Sequence, residues 1–524
     1  MINGRTMSGL LALTLAAGAC IGNIGGDRPS DETTSQGLCE DGSVRVPAVD
    51  MRRLTRREFN NAVRDLLGDD SGPADSFVPD ENIAGFAANT VAPVTKLVVQ
   101  DYLAAAEQLA ARAVSENLDT LVDCDVADAT CVETFARRFG RRAFRRPLDE
   151  AELANVLAVY ADGKASWGSD KGFEMLLQTF LLSPQFLYVT EATGEGEKGT
   201  IAPLDGYQIA ARLSFFLWQS VPDEALLDAA EAGELDSREG IAHHAERLLA
   251  DERAREAVAS FFEQWLEIEH LSELIKNEET YPSWSPALGE AMHAEAVDFA
   301  DHVVRSGGDL ETLLTASYTF ADESLAELYG APAPDAKGRI ELDPTERAGL
   351  LTQASFLASR AHADEPSWVF RGKFVRESLL CDPLPPPPPG VDMNQSNDPD
   401  RLTNPECATC HVRMDPIGFG FDGYDAIGQV DLDAVVQDAE LTSAGELTGP
   451  FDDPVELAHR LAESDTVRLC VAKHLFRFAT RRDETKDDSC SIDAVDGQFA
   501  ASGNTLGELL IAITQSDAFR FRRL

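Results

Sequence analysis

The chain has 524 residues, enough for roughly three to five domains, and a hydrophobic content of 44%, which excludes a wholly disordered protein. It contains 90 acidic and 45 basic residues, and its formal net charge of -45 would repel the phosphates of nucleic acid. We therefore expect no nucleic-acid partner and interpret the acidity as an aid to solubility outside the cytoplasm.

The first twenty residues have the composition of a secretory signal. Arg5 precedes an apolar stretch at residues 10–17, and Gly18 and Ala19 stand directly before Cys20. This order predicts secretion across the inner membrane. Small residues before a cysteine also resemble a bacterial lipoprotein signal, which predicts a lipid on Cys20; plain cleavage and an unmodified cysteine are the alternatives. Because the apolar stretch is much shorter than the roughly 20 residues of a spanning helix, we expect membrane contact only through this lipid anchor, in a periplasmic or cell-envelope lipoprotein.

Shifts in composition, together with proline and glycine, divide the chain into predicted modules. Basic clusters at residues 56–57 and 141–146 are expected to pair with the abundant carboxylates. The predicted units are a lipoprotein-type signal peptide at 1–20, a flexible tether at 21–48, a first helical module at 49–115, a second at 124–192, a third, central module at 203–332, a module with a Cys-x-x-Cys-His motif at 344–442 and a C-terminal helical module at 450–524.

A capped helix opens the first module. Thr55 can accept a hydrogen bond from the first turn while Glu58 reaches back to the cap, and Gly68 ends the helix. Apolar residues at helical spacing predict further helices, whereas the alternating patterns typical of strands are scarce. We therefore predict a mainly α, multi-module protein. The further predicted helices cover residues 97–113, 132–144, 173–182, 207–218, 239–267, 289–304, 347–361, 455–461, 467–479 and 506–514.

Residues 407–411 carry the strongest functional motif, Cys-Ala-Thr-Cys-His. On a helical turn, the sulfurs of Cys407 and Cys410 project to one side and can form thioethers with the two vinyl groups of haem. The imidazole of His411 then lies beneath the iron as its proximal ligand. The motif therefore predicts covalently bound haem c in a C-terminal, cytochrome-c-like haem segment.

Three other interpretations of these cysteines are a thioredoxin-like redox pair, a zinc site and a structural disulfide. A redox pair would require a preceding strand and a following βα unit, and a zinc site would require two further Cys or His ligands at close spacing. The sequence around residue 407 has neither. No phosphate-binding loop, zinc-protease helix or hydrolase nucleophile turn is found either, so nucleotide and hydrolase chemistry lack a motif.

The residues after His411 indicate how a haem would be enclosed. Proline and glycine are expected to end the helix and to let the backbone lie close to the macrocycle, at Pro416, Gly418 and Gly420. Three aromatic side chains are candidates for the wall of the haem edge, and each could equally fill a core: Phe419, Phe421 and Tyr424. Turns and helix caps are expected to use Asp415, Asp422 and Asp425.

The sequence offers several candidates for the distal ligand of the iron. No Met follows Met414, which lies too close to His411 to reach the opposite face of the iron. His362 precedes the opening helix of the haem module and is our first candidate. The other candidates are Met393, His459 and His474. The last of these falls on an apolar helix face, where a histidine is better explained as a core residue.

The cysteine count agrees with an oxidising compartment. Apart from Cys20 and the two cysteines of the haem motif, six cysteines remain, an even number that can pair as disulfides. Close spacing favours Cys124 with Cys131 and Cys470 with Cys490. The two cysteines left over, as a third pair or as buried thiols, are Cys39 and Cys381.

Residues 407–428 read Cys-Ala-Thr-Cys-His-Val-Arg-Met-Asp-Pro-Ile-Gly-Phe-Gly-Phe-Asp-Gly-Tyr-Asp-Ala-Ile-Gly. This stretch resembles the haem segment of a bacterial family of multi-module cytochrome-c-like proteins, the domain-of-unknown-function 1592 family and its companion modules. Residues 371–377 resemble the opening of the same module. The other modules of the family are resembled, in order, by residues 54–68, 139–148, 209–227 and 470–519. The resemblance covers nearly the whole chain from about residue 50 and implies a helical fold, but no particular reaction.

These observations predict an exported mono-haem c-type protein that transfers electrons at the cell envelope, to a redox partner that the sequence does not identify. The first alternative is a haem oxidase or peroxidase with an open distal site. The second is a surface scaffold or binding lipoprotein whose haem is structural or sensory.

Overall fold

The computed structural model describes residues 43–91, 93–189, 199–386, 401–431 and 434–524, together with Cys39. The signal peptide with Cys20, most of the tether and Met393 lie outside these residues, so the fold does not bear on the predictions made for them. The described residues from 43 onward belong to one compact unit.

Helices make up most of the described chain, which confirms the predicted mainly α class. The helices before residue 200 are α1 (Arg56–Leu67), α2 (Lys96–Glu116), α3 (Leu118–Leu121), α4 (Ala129–Ala143), α5 (Glu150–Trp167), α6 (Ser169–Leu181) and α7 (Pro184–Leu187). The central helices are α8 (Gly206–Leu217), α9 (Glu224–Glu231), α10 (Arg238–Ala250), α11 (Ala254–Trp265), α12 (Pro286–Arg305), α13 (Leu310–Thr315) and α14 (Glu323–Leu328). The remaining helices are α15 (Gly349–Thr352), α16 (Ala354–Ser359), α17 (Trp368–Phe374), α18 (Pro405–Phe419), α19 (Pro454–Ala462), α20 (Asp465–Thr480), α21 (Ser489–Ala501), α22 (Leu506–Gln515) and α23 (Asp517–Arg520).

The strands are short, and in the described ranges they pair only as antiparallel couples. The couples are β1 (Arg52–Arg53) with β4 (Tyr188–Val189), β2 (Glu81–Ile83) with β3 (Phe86–Ala88), β5 (Ile201–Pro203) with β10 (Phe521–Arg523), β6 (Tyr318–Phe320) with β7 (Arg339–Glu341), and β8 (Ala439–Leu441) with β9 (Gly449–Phe451). Two of these couples join distant parts of the sequence: β1 with β4, and β5 with the C-terminal β10.

The first helix forms as its sequence predicts. The side chain of Thr55 accepts a hydrogen bond from the backbone of Glu58, whose own carboxylate returns to the backbone of Thr55. Gly68 then adopts a left-handed conformation, with φ at 69°, and ends α1. Local side-chain chemistry therefore sets both ends of this helix.

Two long predicted helices are interrupted. The segment at 239–267 forms α10 and α11, because Asp251 leaves the helical conformation and its side chain accepts the backbone N–H of Arg253 at 2.9 Å. The segment at 347–361 forms the short helices α15 and α16, separated by extended Gln353. Spacing does not predict several further helices, among them α5 and α21.

The described helices pack around two large hydrophobic cores. The first lies among α1 to α7 and contains fully buried rings such as Phe173, Phe180 and Phe186. Apart from Phe86, the second extends from Leu204 to Phe519 and draws on the central part, the part with the Cys-x-x-Cys-His motif and the C-terminal part of the chain. The segment with the haem motif therefore shares its core with two other modules.

Ion pairs join the modules through arginine. Glu58 is fully buried, and although burial alone would raise its pKa, Arg52 and Arg481 together lower that pKa below its ordinary value. Arg481 also donates to Gln219 at 2.6 Å, which links the first, central and C-terminal modules. As predicted for the basic clusters, the guanidinium of Arg141 pairs with carboxylates, those of Glu224, Asp228 and Glu231.

The structure confirms one predicted disulfide and corrects the other two pairings. Cys124 is bonded to Cys131. Cys470 is bonded to Cys381, so its predicted pairing with Cys490 is wrong. Cys470 lies ten residues before the end of α20, about 15 Å along the helix axis, whereas Cys490 is the second residue of the next helix. Although Cys470 and Cys490 are close in sequence, the length of α20 therefore keeps their sulfurs apart. Because Cys381 is bonded to Cys470, the predicted third pair of Cys39 with Cys381 is wrong as well. Cys39 and Cys490 each form a disulfide.

The two disulfides should differ in their contribution to stability. Cys381→Ser/Cys470→Ser removes a bridge that spans 89 residues, and we expect it to lower the free energy of unfolding by about 4 kcal/mol. Cys124→Ser/Cys131→Ser removes a bridge that spans 7 residues and should lower it by about 2 kcal/mol. Urea unfolding of both variants tests this order, and a peptide map of the native protein with Cys470 linked to Cys490 would contradict the pairing.

Candidate functional site

Cys407, Cys410 and His411 lie on the first two turns of α18. Their spacing of three and four residues places all three side chains on one helix face. Both thiols are free and partly exposed, whereas the other cysteines within the described residues are in disulfides: Cys39, Cys124, Cys131, Cys381, Cys470 and Cys490. The two sulfurs of the motif are therefore available for another bond.

A buried carboxylate orients the imidazole of His411. Nδ1 of His411 lies 3.0 Å from Oδ1 of Asp415, one helical turn further along α18, and Asp415 has no exposed surface. Its other oxygen forms an ion pair of 2.6 Å with Nε of Arg401. Because the carboxylate accepts the Nδ1 proton, Nε2 of His411 keeps a lone pair for a metal. The prediction that Asp415 serves a turn or cap is therefore wrong; Asp425, which accepts two backbone N–H groups, does serve a turn.

Glycines allow α17 and α18 to cross in close contact. A Cβ on Gly372 would lie 1.8 Å from the carbonyl oxygen of Met414, and a Cβ on Gly418 would lie 2.1 Å from that of Trp368. No other residue fits at either position without moving a backbone. The close contact therefore fixes the position of α18 relative to α17.

The helix continues through Pro416, so the prediction that Pro416 and Gly418 end it is wrong. Proline cannot donate the hydrogen bond that the carbonyl of Val412 would receive in a regular helix. The hydroxyl of Thr442 donates to that carbonyl instead, at 2.9 Å. A partner from outside the helix therefore compensates for the proline, and α18 extends to Phe419.

Two buried arginines hold the backbone around α18. Arg371 donates at 2.7 to 3.3 Å to the carbonyls of Leu357, Phe421, Tyr424 and Asp425. Burial lowers the pKa of Arg371 to about 10.

Arg376 donates to the carbonyl of Arg413 at 2.8 Å, within α18 itself, and forms an ion pair of 3.2 Å with Asp382. It also reaches the backbone beside Thr442. Together with Arg371, it fixes both the helix and the turn that follows it.

The three aromatic candidates belong to the second core: Phe419 ends α18, and Phe421 and Tyr424 follow it. Phe419 packs edge-on against Trp368, with ring centres 5.3 Å apart, and Phe421 packs against Phe356 at 5.9 Å. The hydroxyl of Tyr424 donates to the carbonyl of Glu346, and burial raises the pKa of Tyr424 to about 12. These contacts are those of core residues, and a role at a haem edge stays a prediction.

The candidates for a distal ligand lie in different surroundings. The ring of His362 packs against Phe370 at 5.4 Å, and its Nε2 is buried without a hydrogen-bond partner among the described residues. His474 lies in the core, where Nε2 is 3.8 Å from the sulfur of Cys381 and burial lowers its pKa to about 3. His459 is exposed on α19. The interpretation of His474 as a core residue thus agrees with its position.

Sequence reasoning missed the residues that support the motif. The spacing of four between His411 and Asp415 was a usable signal, because residues four apart meet on a helix face. Arg371 and Arg376 stand in a segment that resembles the family, but their carbonyl partners could not be read from spacing. Arg401 and Thr442 carry no local signal at all.

None of the described helices is both long and apolar enough to cross a membrane.

Five family models match the chain in sequence order, and together they cover most of it. They are described as proteins of unknown function: DUF1587 at residues 52–115, DUF1595 at 131–191, DUF1592 at 204–331, DUF1588 at 347–433 and DUF1585 at 449–519. The chain is thus a multi-module helical protein with all five modules in one polypeptide. It belongs to the DUF1592 family with its companion modules. No curated protein and no solved structure matches it.

Replacement of Arg371 tests the support of α18. Arg371→Met removes a buried donor shared by four carbonyls, of which those of Phe421 and Asp425 also accept a backbone N–H, and we expect it to lower the free energy of unfolding by about 3 kcal/mol. Arg371→Lys should recover little of this, since an ammonium group lacks the planar fork that reaches several carbonyls. Arg137→Met, at an exposed ion pair, should leave the urea midpoint unchanged. Native-like stability of Arg371→Met would show that the four bonds contribute little.

Proposed function

We propose that the protein is an exported mono-haem c-type protein that transfers electrons at the cell envelope. The observation that carries this proposal is the pair of free thiols, Cys407 and Cys410, beside the oriented imidazole of His411. The other described cysteines form disulfides, as they do in an oxidising compartment. Two thiols that stay unpaired in such a chain are explained by another covalent bond, and thioether attachment to haem accounts for both Cys407 and Cys410.

The residues present fit a haem. Cys407 and Cys410 would attach it, and Nε2 of His411 would bind its iron. Bound haem would supply a one-electron couple. Asp415 holds the proton on Nδ1 of His411 and makes that imidazole a stronger electron donor, while Arg401 balances the buried charge of Asp415.

The proposed location is the periplasm or the cell envelope, with a lipid on Cys20 as the anchor. The disulfides and the strong net negative charge agree with a chain that works outside the cytoplasm. The proposed partner is a redox protein, and the charge of this chain disfavours nucleic acid.

A haem oxidase or peroxidase is the second candidate, and the enclosure of His474 in the core favours it. His474 is enclosed beside the Cys381 sulfur, and the ring of His362 contacts Phe370. If neither reaches the iron, its sixth position stays open for oxygen or peroxide.

Covalent attachment is the first test. When the protein is produced with a c-haem maturation system, we expect a haem-stained band on a denaturing gel, because thioethers survive denaturation. Cys407→Ala/Cys410→Ala should lose the stain. Cys124→Ala/Cys131→Ala, which removes a disulfide elsewhere, should keep it. Haem that extracts into acid–acetone from the native protein would overturn the proposal.

The distal ligand decides between carrier and enzyme. With His362 as sixth ligand, we expect low-spin iron in optical and EPR spectra, and His362→Ala should make the iron high-spin and able to bind carbon monoxide. His459→Ala, which removes an exposed imidazole, is the matched control and should change neither property. A native protein that is already high-spin, binds carbon monoxide and turns over peroxide would favour the enzyme over the carrier.

A further inference from the structure

A cavity of about 360 Å³ lies where distant parts of the chain meet. Residues 49–52, Val189, helix α8, the end of α20 and helix α23 line it. Val49 and Met51 are 39% and 56% exposed, so this side of the cavity reaches the protein surface. The volume lies within the range of roughly 300–1,000 Å³ that small-molecule sites have. The cavity is therefore large enough for an organic ligand and accessible to it.

The inner wall of the cavity is apolar. Phe215 belongs to the first hydrophobic core, whereas Phe216 and Phe519 belong to the second. All three side chains line the cavity, which thus lies between the two cores. The ring centres of Phe216 and Phe519 are 6.1 Å apart. The apolar body of a ligand would leave water for the surface of these rings, which is favourable.

Four arginines line the same cavity: Arg52, Arg212, Arg481 and Arg482. Among the described lining residues the one carboxylate is that of Asp50, which is exposed at the mouth. Nε of Arg482 is buried and has no hydrogen-bond partner among the described residues, so it remains as a donor. Guanidinium groups beside an apolar wall suit a ligand with an acidic group and an apolar body.

Carboxylates behind the arginines balance only part of this charge. The carboxylate of Glu58 is shared, because it lies 2.6 Å from Arg52 and 3.6 Å from Arg481. Arg482 has a carboxylate of its own, that of Asp488, at 2.7 Å. Arg52 and Arg481 together therefore exceed Glu58 by one positive charge. Two further ionisable groups act on Arg481 more weakly and with opposite signs, Asp80 and Arg57.

Arg145 adds a second positive charge behind the cavity wall. It donates to backbone carbonyls at 2.5 to 3.2 Å and has no carboxylate within ion-pair distance in the described ranges. Its guanidinium carbon and that of Arg52 each lie 5.5 Å from the centre of the Phe215 ring. Three buried cations, Arg52, Arg145 and Arg481, thus share the single carboxylate of Glu58. An anion in the cavity would balance the excess where the dielectric constant is low.

We propose that this cavity binds a small amphipathic anion, with its acidic group among the arginines and its apolar body against Phe216 and Phe519. The acidic group is a carboxylate or a phosphate monoester. A bare inorganic anion would leave the apolar wall uncovered, and an uncharged ligand would displace water from the guanidinium groups without replacing its hydrogen bonds. The lining residues lie outside the segment with the Cys-x-x-Cys-His motif, so the proposal does not depend on bound haem.

Isothermal titration calorimetry of the purified protein separates the classes of ligand. The probes share one alkyl chain and differ in the head group: octanoate, octyl phosphate, octanol and octyltrimethylammonium. We expect an anion to bind, and the tighter of the two anions identifies the acidic group. Octanol should bind about tenfold or more weakly, because it lacks a charge-assisted hydrogen bond to arginine, and the ammonium compound should not bind. Equal binding of octanol, or no binding of either anion, would overturn the proposal.

Charge changes at the mouth test the location of the site. Met51→Glu adds a carboxylate there, and we expect the affinity for the anion to fall about threefold or more. Asp50→Asn removes a carboxylate and should raise the affinity. Val436→Glu is the matched control, since Val436 is 57% exposed and lies outside the cavity, and it should bind like the parent. All three side chains are exposed, so the melting temperature should not change. Equal affinities of Met51→Glu and Val436→Glu would contradict the proposed site.

Discussion

The buried guanidinium groups of Arg371 and Arg376 are the constraint on which the haem-motif segment depends. Each gives up its hydration, a loss that is unfavourable unless its N–H groups find other acceptors. The acceptors are mainly backbone carbonyls of the turn after α18 and of α18 itself, together with the carboxylate of Asp382. The buried guanidinium groups therefore find acceptors in the backbone around α18 and hold that backbone in place. These hydrogen bonds from Arg371 and Arg376 fix the position of the helix that carries Cys407, Cys410 and His411.

Buried arginines also give the surroundings of the motif more positive charge than the rest of the chain has. Arg371 is held by neutral carbonyls, so its positive charge is compensated only by the more distant carboxylates of Asp422 and Asp425. Arg401 faces a single carboxylate, that of Asp415, which is shared with His411. The surroundings of the motif are thus richer in buried cations than the net charge of -45 would indicate. In a medium of low dielectric such fixed charges act more strongly than the numerous solvated carboxylates of the surface.

Much of the fold followed from local sequence, and much of the site did not. Thr55, Glu58 and Gly68 act on neighbours within one turn, so the bounds of α1 were predictable from spacing. The path of α18 through Pro416 depends on Thr442, which lies 26 residues further along and approaches only in the folded chain. The partner of Cys470 was misjudged for the same reason: its distance from Cys490 is set by the length of α20, whereas Cys381 arrives from another module. Interactions across modules leave no periodic trace in the sequence.

The position of Asp415 bears on the choice between electron carrier and enzyme. A carboxylate on Nδ1 gives the imidazole of His411 partial anionic character, which would stabilise oxidised iron at Nε2 and lower the reduction potential. Burial of Asp415 strengthens this effect, because no water competes for its oxygen. Arg401 weakens this effect, because its Nε lies 2.6 Å from the other oxygen of Asp415 and draws negative charge toward that oxygen. In the proposed haem protein, the sharing of the Asp415 carboxylate between Arg401 and His411 would therefore set how strongly the imidazole donates to the iron. A strong proximal donor with no distal protein ligand is the arrangement that suits oxygen or peroxide chemistry, whereas a second imidazole on the iron would make the same helix part of an outer-sphere carrier.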